Sequence, residues 1–251
     1  MYPEKLQAFV LSTLDYGDSD RIVSLFTLEH GRIKAFARGA KKSRKRFGAA
    51  LETFARIEAQ VRIKEGLSGI QQADINNIFP RIRTDLAGIA HALYACELVE
   101  AMTPEGHPLP RLYRLLAAYL DRLETETAVA SDRRFFEINL LNILGYRPSL
   151  ESCARCNIPF AESGALLQET GELICRTCTT IGWPLTTDGL RVLLACLGTG
   201  KFGLIVLPPE ITTEIGNLLD KAVAAHAGRQ LKSLDFLRQV TISCNCKGTN
   251  D

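Results

Sequence analysis

The sequence predicts an α+β chain: a small five-stranded β-barrel, then an α-helical domain with a four-cysteine, zinc-ribbon-like module inserted in it. Three observations carry this. Apolar residues alternate strictly with polar ones at Ala55, Ile57, Ala59, Val61 and Ile63, the period of a half-buried strand. Apolar residues recur at helical spacing from Leu86 onward. Two C-x-x-C units, Cys153/Cys156 and Cys175/Cys178, enclose 18 residues.

Four further strand-like runs accompany that alternation within the first 80 residues. Residues 6–14 are rich in Phe, Val and Leu and stop at the turn signal Asp15-Tyr16-Gly17-Asp18. Residues 21–27 form a second run, and His30-Gly31 reverses the chain into a third over 32–38, with Arg32, Lys34 and Arg38 on one face. Residues 67–75 supply the fifth. Five short strands in so short a span suit an OB-type barrel, whose open face and loops bind single strands. An SH3-like barrel satisfies the same periodicity. Asp15, Asp18 and Asp20 lack the glycine and downstream glutamate of a calcium loop and read as turn residues.

Charge concentrates in one place. Between Arg38 and Arg46 six of nine residues are basic and none is acidic, in a chain with 30 basic and 28 acidic residues overall. Residues 1–80 carry a net +4 and the remainder −2. So dense a run of like charge gains nothing from burial and predicts a solvated loop between strands that meets a polyanion. Arg21, Arg32, Lys34, Arg38, Lys41, Lys42, Arg44, Lys45 and Arg46 are the expected DNA contacts, lining a groove that follows phosphates.

Downstream, Thr84-Asp85 predicts a helix start, with Leu86, Ile89, Ala90, Leu93 and Cys96 on its apolar face. Leu112, Leu115, Leu116, Tyr119, Leu120 and Leu123 mark a second helix. Ser131-Asp132 is read as the cap of a third, ended by Gly145 and Pro148. His91 and Cys96 lie in such stripes and receive no function. The two C-x-x-C knuckles, flanking a short hairpin near 164–174, have the spacing of a structural zinc site, one Zn²⁺ per chain on Cys153, Cys156, Cys175 and Cys178. No open coordination position or placed base suggests metal chemistry. Thr187-Asp188 opens a further helix, and residues 209–227 and 231–240 give two more. Gly198-Thr199-Gly200-Lys201 fails as a phosphate loop, since Ala195 and Phe202 stand where glycine and Ser or Thr belong. Cys244 and Cys246 fall in a tail expected to be mobile.

The domain plan is therefore 1–80 for the barrel, 81–148 and 183–243 for two helical parts, 149–182 for the cysteine module and 244–251 for the tail. No run of about 18 apolar residues or export signal is present, so the expectation is a cytoplasmic protein with thiols in place of disulfides and no membrane contact. No serine elbow, H-E-x-x-H or phosphate loop argues for an enzyme.

The residues Tyr16-Gly17-Asp18-Ser19-Asp20-Arg21-Ile22-Val23, Phe26-Thr27, Gly31-Arg32 and Ala37-Arg38-Gly39-Ala40-Lys41-Lys42 resemble the N-terminal signature of RecO, the bacterial recombination mediator family. Leu51-Glu52-Thr53-Phe54, Leu144-Gly145-Tyr146-Arg147-Pro148 and Leu231-Lys232-Ser233 continue the resemblance in order along nearly the whole chain. It implies an OB-fold, a helical domain and, in many members, a zinc module. It further implies a nucleoid-associated, non-catalytic protein that binds single- and double-stranded DNA and anneals complementary strands. The implied partners are RecR and the C-terminal tail of the single-stranded-DNA-binding protein, and RecA indirectly, through its loading onto coated strands. From the residues alone, a zinc-ribbon transcription or translation factor is the alternative.

Overall fold

The computed structural model describes residues 2–160 and 164–245. Two compact units emerge: residues up to Ala128 with those from Gln230 onward, and Val129–Arg229. The helical parts expected over 81–148 and 183–243 are thus each divided between the two units.

Five strands close the barrel: β1 (Glu4–Tyr16), β2 (Asp20–Thr27), β3 (Gly31–Ala37), β4 (Arg56–Arg62) and β5 (Leu67–Asn77), in the order β1-β2-β3-β5-β4. β4 returns antiparallel to β1, and only the β3–β5 edge is parallel, Phe36 opposite Gly69. That connectivity is the OB-type Greek key and resolves the ambiguity the periodicity leaves. The interior takes Leu6, Ala8, Val10, Val23, Leu25, Ile33, Ala35, Ala37, Ile57, Ala59 and Val61. Four of these are alanine, as the narrow bore of a five-stranded barrel requires. Phe47, Ala50 and Leu51, from the β3–β4 connection, are buried against the same core.

A register shift between Val10 and Ser12 moves β1 by one residue. Beyond it Thr13 faces Val23 on the inner side, while Leu14 faces Ile22 on the outer side. The outer face divides in two. Its lower half carries Phe9 and Phe26, fully buried beneath Tyr113 at ring distances of 5.0 and 6.2 Å. Arg56 lies 5.1 Å over Phe9 and reaches Asp121 at 2.8 Å, fastening α2 (Pro110–Thr125) to the barrel. Gly31 opens β3 at φ +67°, and a Cβ there would overlap the His107 carbonyl, so the β2–β3 turn sits flush against the segment that leads into α2.

The side chain of Asp85 accepts the Gly88 amide at 2.8 Å and caps α1 (Leu86–Met102) as the sequence predicts. The apolar stripe is not as expected. Leu86 is exposed, whereas Ala90, His91, Ala92, Tyr94, Ala95, Cys96, Leu98, Val99 and Met102 are all buried. α1 packs against β1, α2 and α6 (Lys232–Asn245), so it is apolar nearly all round. His91 is accounted for by a 2.7 Å bond to the Tyr119 hydroxyl. Glu97 of α1 accepts the Ser233 amide at 2.8 Å and the Lys232 amide at 3.3 Å, acting as a cap for α6 from another helix. α6 runs to Asn245, so Cys244 is helical; Cys246 and the residues after it lie outside the described residues.

The second unit packs α3 (Ala130–Leu144), α4 (Thr187–Thr199) and α5 (Pro209–His226) with a three-stranded sheet. α3 starts one residue before the expected cap: Val129 takes the cap position without a side-chain bond, and Asp132 is buried in the first turn. Gly145 ends α3 in the left-handed region at φ +79°. Thr186, not Thr187, caps α4, accepting the Gly189 amide at 3.1 Å. Gly200 closes α4 at φ +62°, so the phosphate-loop lookalike is a helix-ending turn. Buried Glu137 binds Arg133 at 2.7 Å and Arg134 at 2.8 Å, and Asp220 binds Arg133 at 2.9 Å, joining α3 to α5. No described helix is long and apolar enough to cross a membrane.

Candidate metal centre and nucleic-acid interface

Two knuckles and a sheet build the candidate metal centre. β6 (Ala165–Leu167) pairs antiparallel with β7 (Leu173–Ile174), the expected hairpin, and on its other edge with β8 (Trp183–Leu185), which sequence reasoning missed. Cys175 and Cys178 follow β7 directly. In the first knuckle Asn157, at φ +57°, returns its amide to the Cys153 carbonyl at 2.9 Å. In the second, Cys178 returns its amide to Cys175 at 3.0 Å. The knuckles are stitched together by the Ala154 amide on the Leu173 carbonyl at 3.0 Å and by Arg155 on the Cys178 carbonyl at 2.6 Å.

All four Sγ atoms lie within 4.8 Å of one another, with Cys156 and Cys175 at 3.8 Å. Metal–sulfur bonds of 2.3 Å in a tetrahedron require sulfurs about 3.8 Å apart, so the set fits a four-coordinate metal ion. Two backbone amides already point at Cys153 Sγ, Cys175 at 3.3 Å and Arg155 at 3.4 Å. Burial pushes the Cys153 thiol up, but these amides, with that of Cys156, outweigh it and bring it down to about 6. Cys178 is pushed up to about 12, by its bonds to Cys175 and Cys156 and by burial. The quartet thus ionises readily at one end and resists carrying a full set of negative charges, a conflict that a bound cation removes. Among the described residues this quartet is the one grouping of His, Cys, Asp or Glu that could hold a metal ion. Asp15, Asp18 and Asp20 form no such group.

The basic segment is exposed, as predicted, but it is ordered. Gly39 turns at φ +68° and donates its amide to Asp20 at 2.7 Å; Lys41 donates to the Ser19 carbonyl at 3.0 Å. Lys42 and Ser43 both return to the Gly39 carbonyl at 3.1 and 3.0 Å. Phe47 is buried in the barrel at the far end, and the Arg46 carbonyl accepts the Ala73 amide of β5 at 3.0 Å. The segment is a series of turns tied down at both ends.

The nine candidate DNA contacts therefore fall into two groups. Arg21 binds Asp15 at 3.1 Å and Glu52 at 3.5 Å. Arg32 and Lys34 share Glu105 at 3.0 and 3.1 Å, and Arg32 also donates to the Thr103 carbonyl at 2.9 Å. Lys41 binds Asp15 at 2.9 Å. Arg46 donates to the Arg38 carbonyl at 2.8 Å and lies over Phe47. Arg38, Lys42, Arg44 and Lys45 are exposed, and their side chains make no such commitment among the described residues. Exposed ion pairs are worth little, about 0–1 kcal/mol, so a phosphate can replace the partner of Lys34 or Lys41. The half-buried Arg32 and Arg21 are braces of the fold. Sequence reasoning could not see Glu105 as the partner of Arg32, from which it lies 73 residues downstream.

Comparison with known proteins follows the same lines. Residues 1–79 match the family model described as Recombination protein O N terminal, and residues 83–235 the one described as Recombination protein O C terminal. The chain is 69% identical to the DNA repair protein RecO of Pelobacter propionicus over 242 residues, covering 96% of this chain and 98% of that protein. It is 52% identical to the RecO of Geobacter sulfurreducens, over 96% of this chain and 100% of that protein. It is 38% identical to the RecO of Myxococcus xanthus, over 93% and 96%.

Proposed function

The chain belongs to the RecO family of DNA repair proteins, and on that premise we propose that it binds single- and double-stranded DNA through backbone phosphates, without sequence preference. In this reading it anneals complementary strands and helps load RecA onto strands coated by the single-stranded-DNA-binding protein. RecR and the C-terminal tail of the coating protein are its partners, and its place is the cytoplasm, at the nucleoid. It performs no chemical step of its own.

One observation carries the reading: four uncommitted cations, Arg38, Lys42, Arg44 and Lys45, stand on a segment anchored to the mouth of an OB-type barrel. Such a surface neutralises two approaching backbones while base pairing between the strands supplies the sequence information. The metal centre is assigned to one structural Zn²⁺ held by Cys153, Cys156, Cys175 and Cys178. Four thiolates in a closed tetrahedron suit zinc and leave no position for substrate. When bound, the ion holds the two knuckles together.

The test is annealing of complementary strands already coated by the single-stranded-DNA-binding protein. The parent protein should accelerate it, and added salt should suppress the effect. Annealing at the uncatalysed rate across a range of protein concentrations would reject the proposal.

A further inference from the structure

The upper half of the barrel's outer face holds a feature that phosphate binding does not use. Past the shift in β1, the outward residues form a row across three strands: Leu14 opposite Ile22, and Ile22 opposite Phe36. Tyr16, the last residue of β1, packs edge-on to Phe36 with ring centres 5.8 Å apart. Leu14 is 64% exposed and Tyr16 57%, in contrast to the fully covered Phe9 and Phe26 lower on the same face. Beyond Phe36 the row meets Gly69, where even an added Cβ would touch nothing within 4 Å. The result is an apolar, aromatic floor open on its flank.

Its surroundings say what it binds. Lys41 reaches the residues on either side of Tyr16, Asp15 at 2.9 Å and the Gly17 carbonyl at 3.4 Å. Arg38 follows Phe36 by two positions. The rings and the basic segment are thus fastened to each other at one end of the barrel. A polymer carrying a flat apolar group beside each negative charge complements that pairing, and a nucleic-acid strand with unpaired bases is such a polymer. A duplex keeps its base faces within its own stack and offers only phosphates. We propose that Tyr16, supported by Phe36, Leu14 and Ile22, is a stacking platform for an unpaired base, giving single strands an attraction beyond charge. The edge-on contact with Phe36 restrains the Tyr16 ring in advance, so little freedom is lost on binding. This rests on the DNA-binding reading above.

The experiment compares Tyr16→Ala and Tyr16→Trp with the parent, using labelled oligothymidylate and a duplex of equal length over a series of salt concentrations. Tyr16→Ala should weaken oligothymidylate binding roughly 5- to 150-fold, the equivalent of one lost stacked base, and duplex binding less than about 2-fold. The log–log salt slope should stay unchanged, because no phosphate contact is removed. Tyr16→Trp should restore binding. Equal losses on both DNAs, or no loss on either, would overturn the platform. So would a change of oligomeric state in Tyr16→Ala, which would mark the row as an interface between copies. Failure of the DNA reading looks different: the parent itself would bind neither DNA.

Discussion

The Asp20 carboxylate accepts the Gly39 amide at 2.7 Å, joining the first residue of β2 to the first turn of the basic segment. The Gly39 amide is the main reason the Asp20 carboxyl lies below the ordinary range; burial opposes it, and Ser19, Arg38 and Lys42 assist. A depressed folded value means the tie is complete above an ordinary carboxylate pKa of about 4 and is lost as pH falls through the lower folded value. Amide exchange at Gly39, corrected for intrinsic rate, should therefore stay constant from about pH 7 to 5 and accelerate only once the pH has fallen below the ordinary carboxylate range of about 4. In Asp20→Ala it should be fast throughout, with β1 amides as the reference. Unchanged protection in that variant would show that the anchor lies elsewhere.

Replacing Arg38, Lys42, Arg44 and Lys45 together by Ala should flatten the salt dependence of single-strand binding by roughly 3 log units per log unit of salt, from about 0.7 per contact. Annealing should slow in parallel, with melting little changed because none of the four side chains makes a hydrogen bond or ion pair among the described residues. A parent-like slope in this variant would make the segment a solvated face.

Elemental analysis of protein purified without added metal should return one zinc per chain. Cobalt substituted for it should show the absorption of tetrahedral thiolate ligation. Cys175→Ser should lose the metal and expose the unit spanning Val129–Arg229 to protease, while the barrel's resistance persists. Less than half an equivalent of metal in freshly folded protein would reject the site.

Glu137→Ala should destabilise the same unit, by at most about 3–5 kcal/mol read from the urea midpoint, because it removes the fully buried carboxylate from Arg133 and Arg134 and leaves Asp220 to both. Asp220→Asn should cost less, since Asp220 is partly open to water. A midpoint within error of the parent for Glu137→Ala would mean that water replaces the carboxylate.

The barrel was readable because Ala55 to Ile63 alternate under a constraint that acts locally: one face must be small and apolar. The knuckles were readable because two residues between cysteines fix a turn. The rest depended on partners distant in sequence. α1 hides its amphipathic pattern because neighbours cover nearly every side of it. β8 escaped notice because Trp183 and Pro184 are exposed and only Leu185 is buried. The braced state of Arg32 needs Glu105 brought beside β3. Tyr16 stands within a turn signal, although its alternation with Leu14 continues the strand; only the register with Ile22 and Phe36 shows the row they make.

Glu97 holding the start of α6 has a consequence for synthesis. α1 leaves the ribosome early, but the helix that covers it comes only after the 101 residues from Val129 to Arg229 have been made. At about 5–20 residues per second those residues alone take roughly 5–20 s, throughout which the flank of α1 that receives α6 stays open. The second unit can finish while the first waits. A nascent chain stalled before α6 should therefore expose the barrel-bearing unit, the earlier-made of the two, to chaperones for longer than the later one.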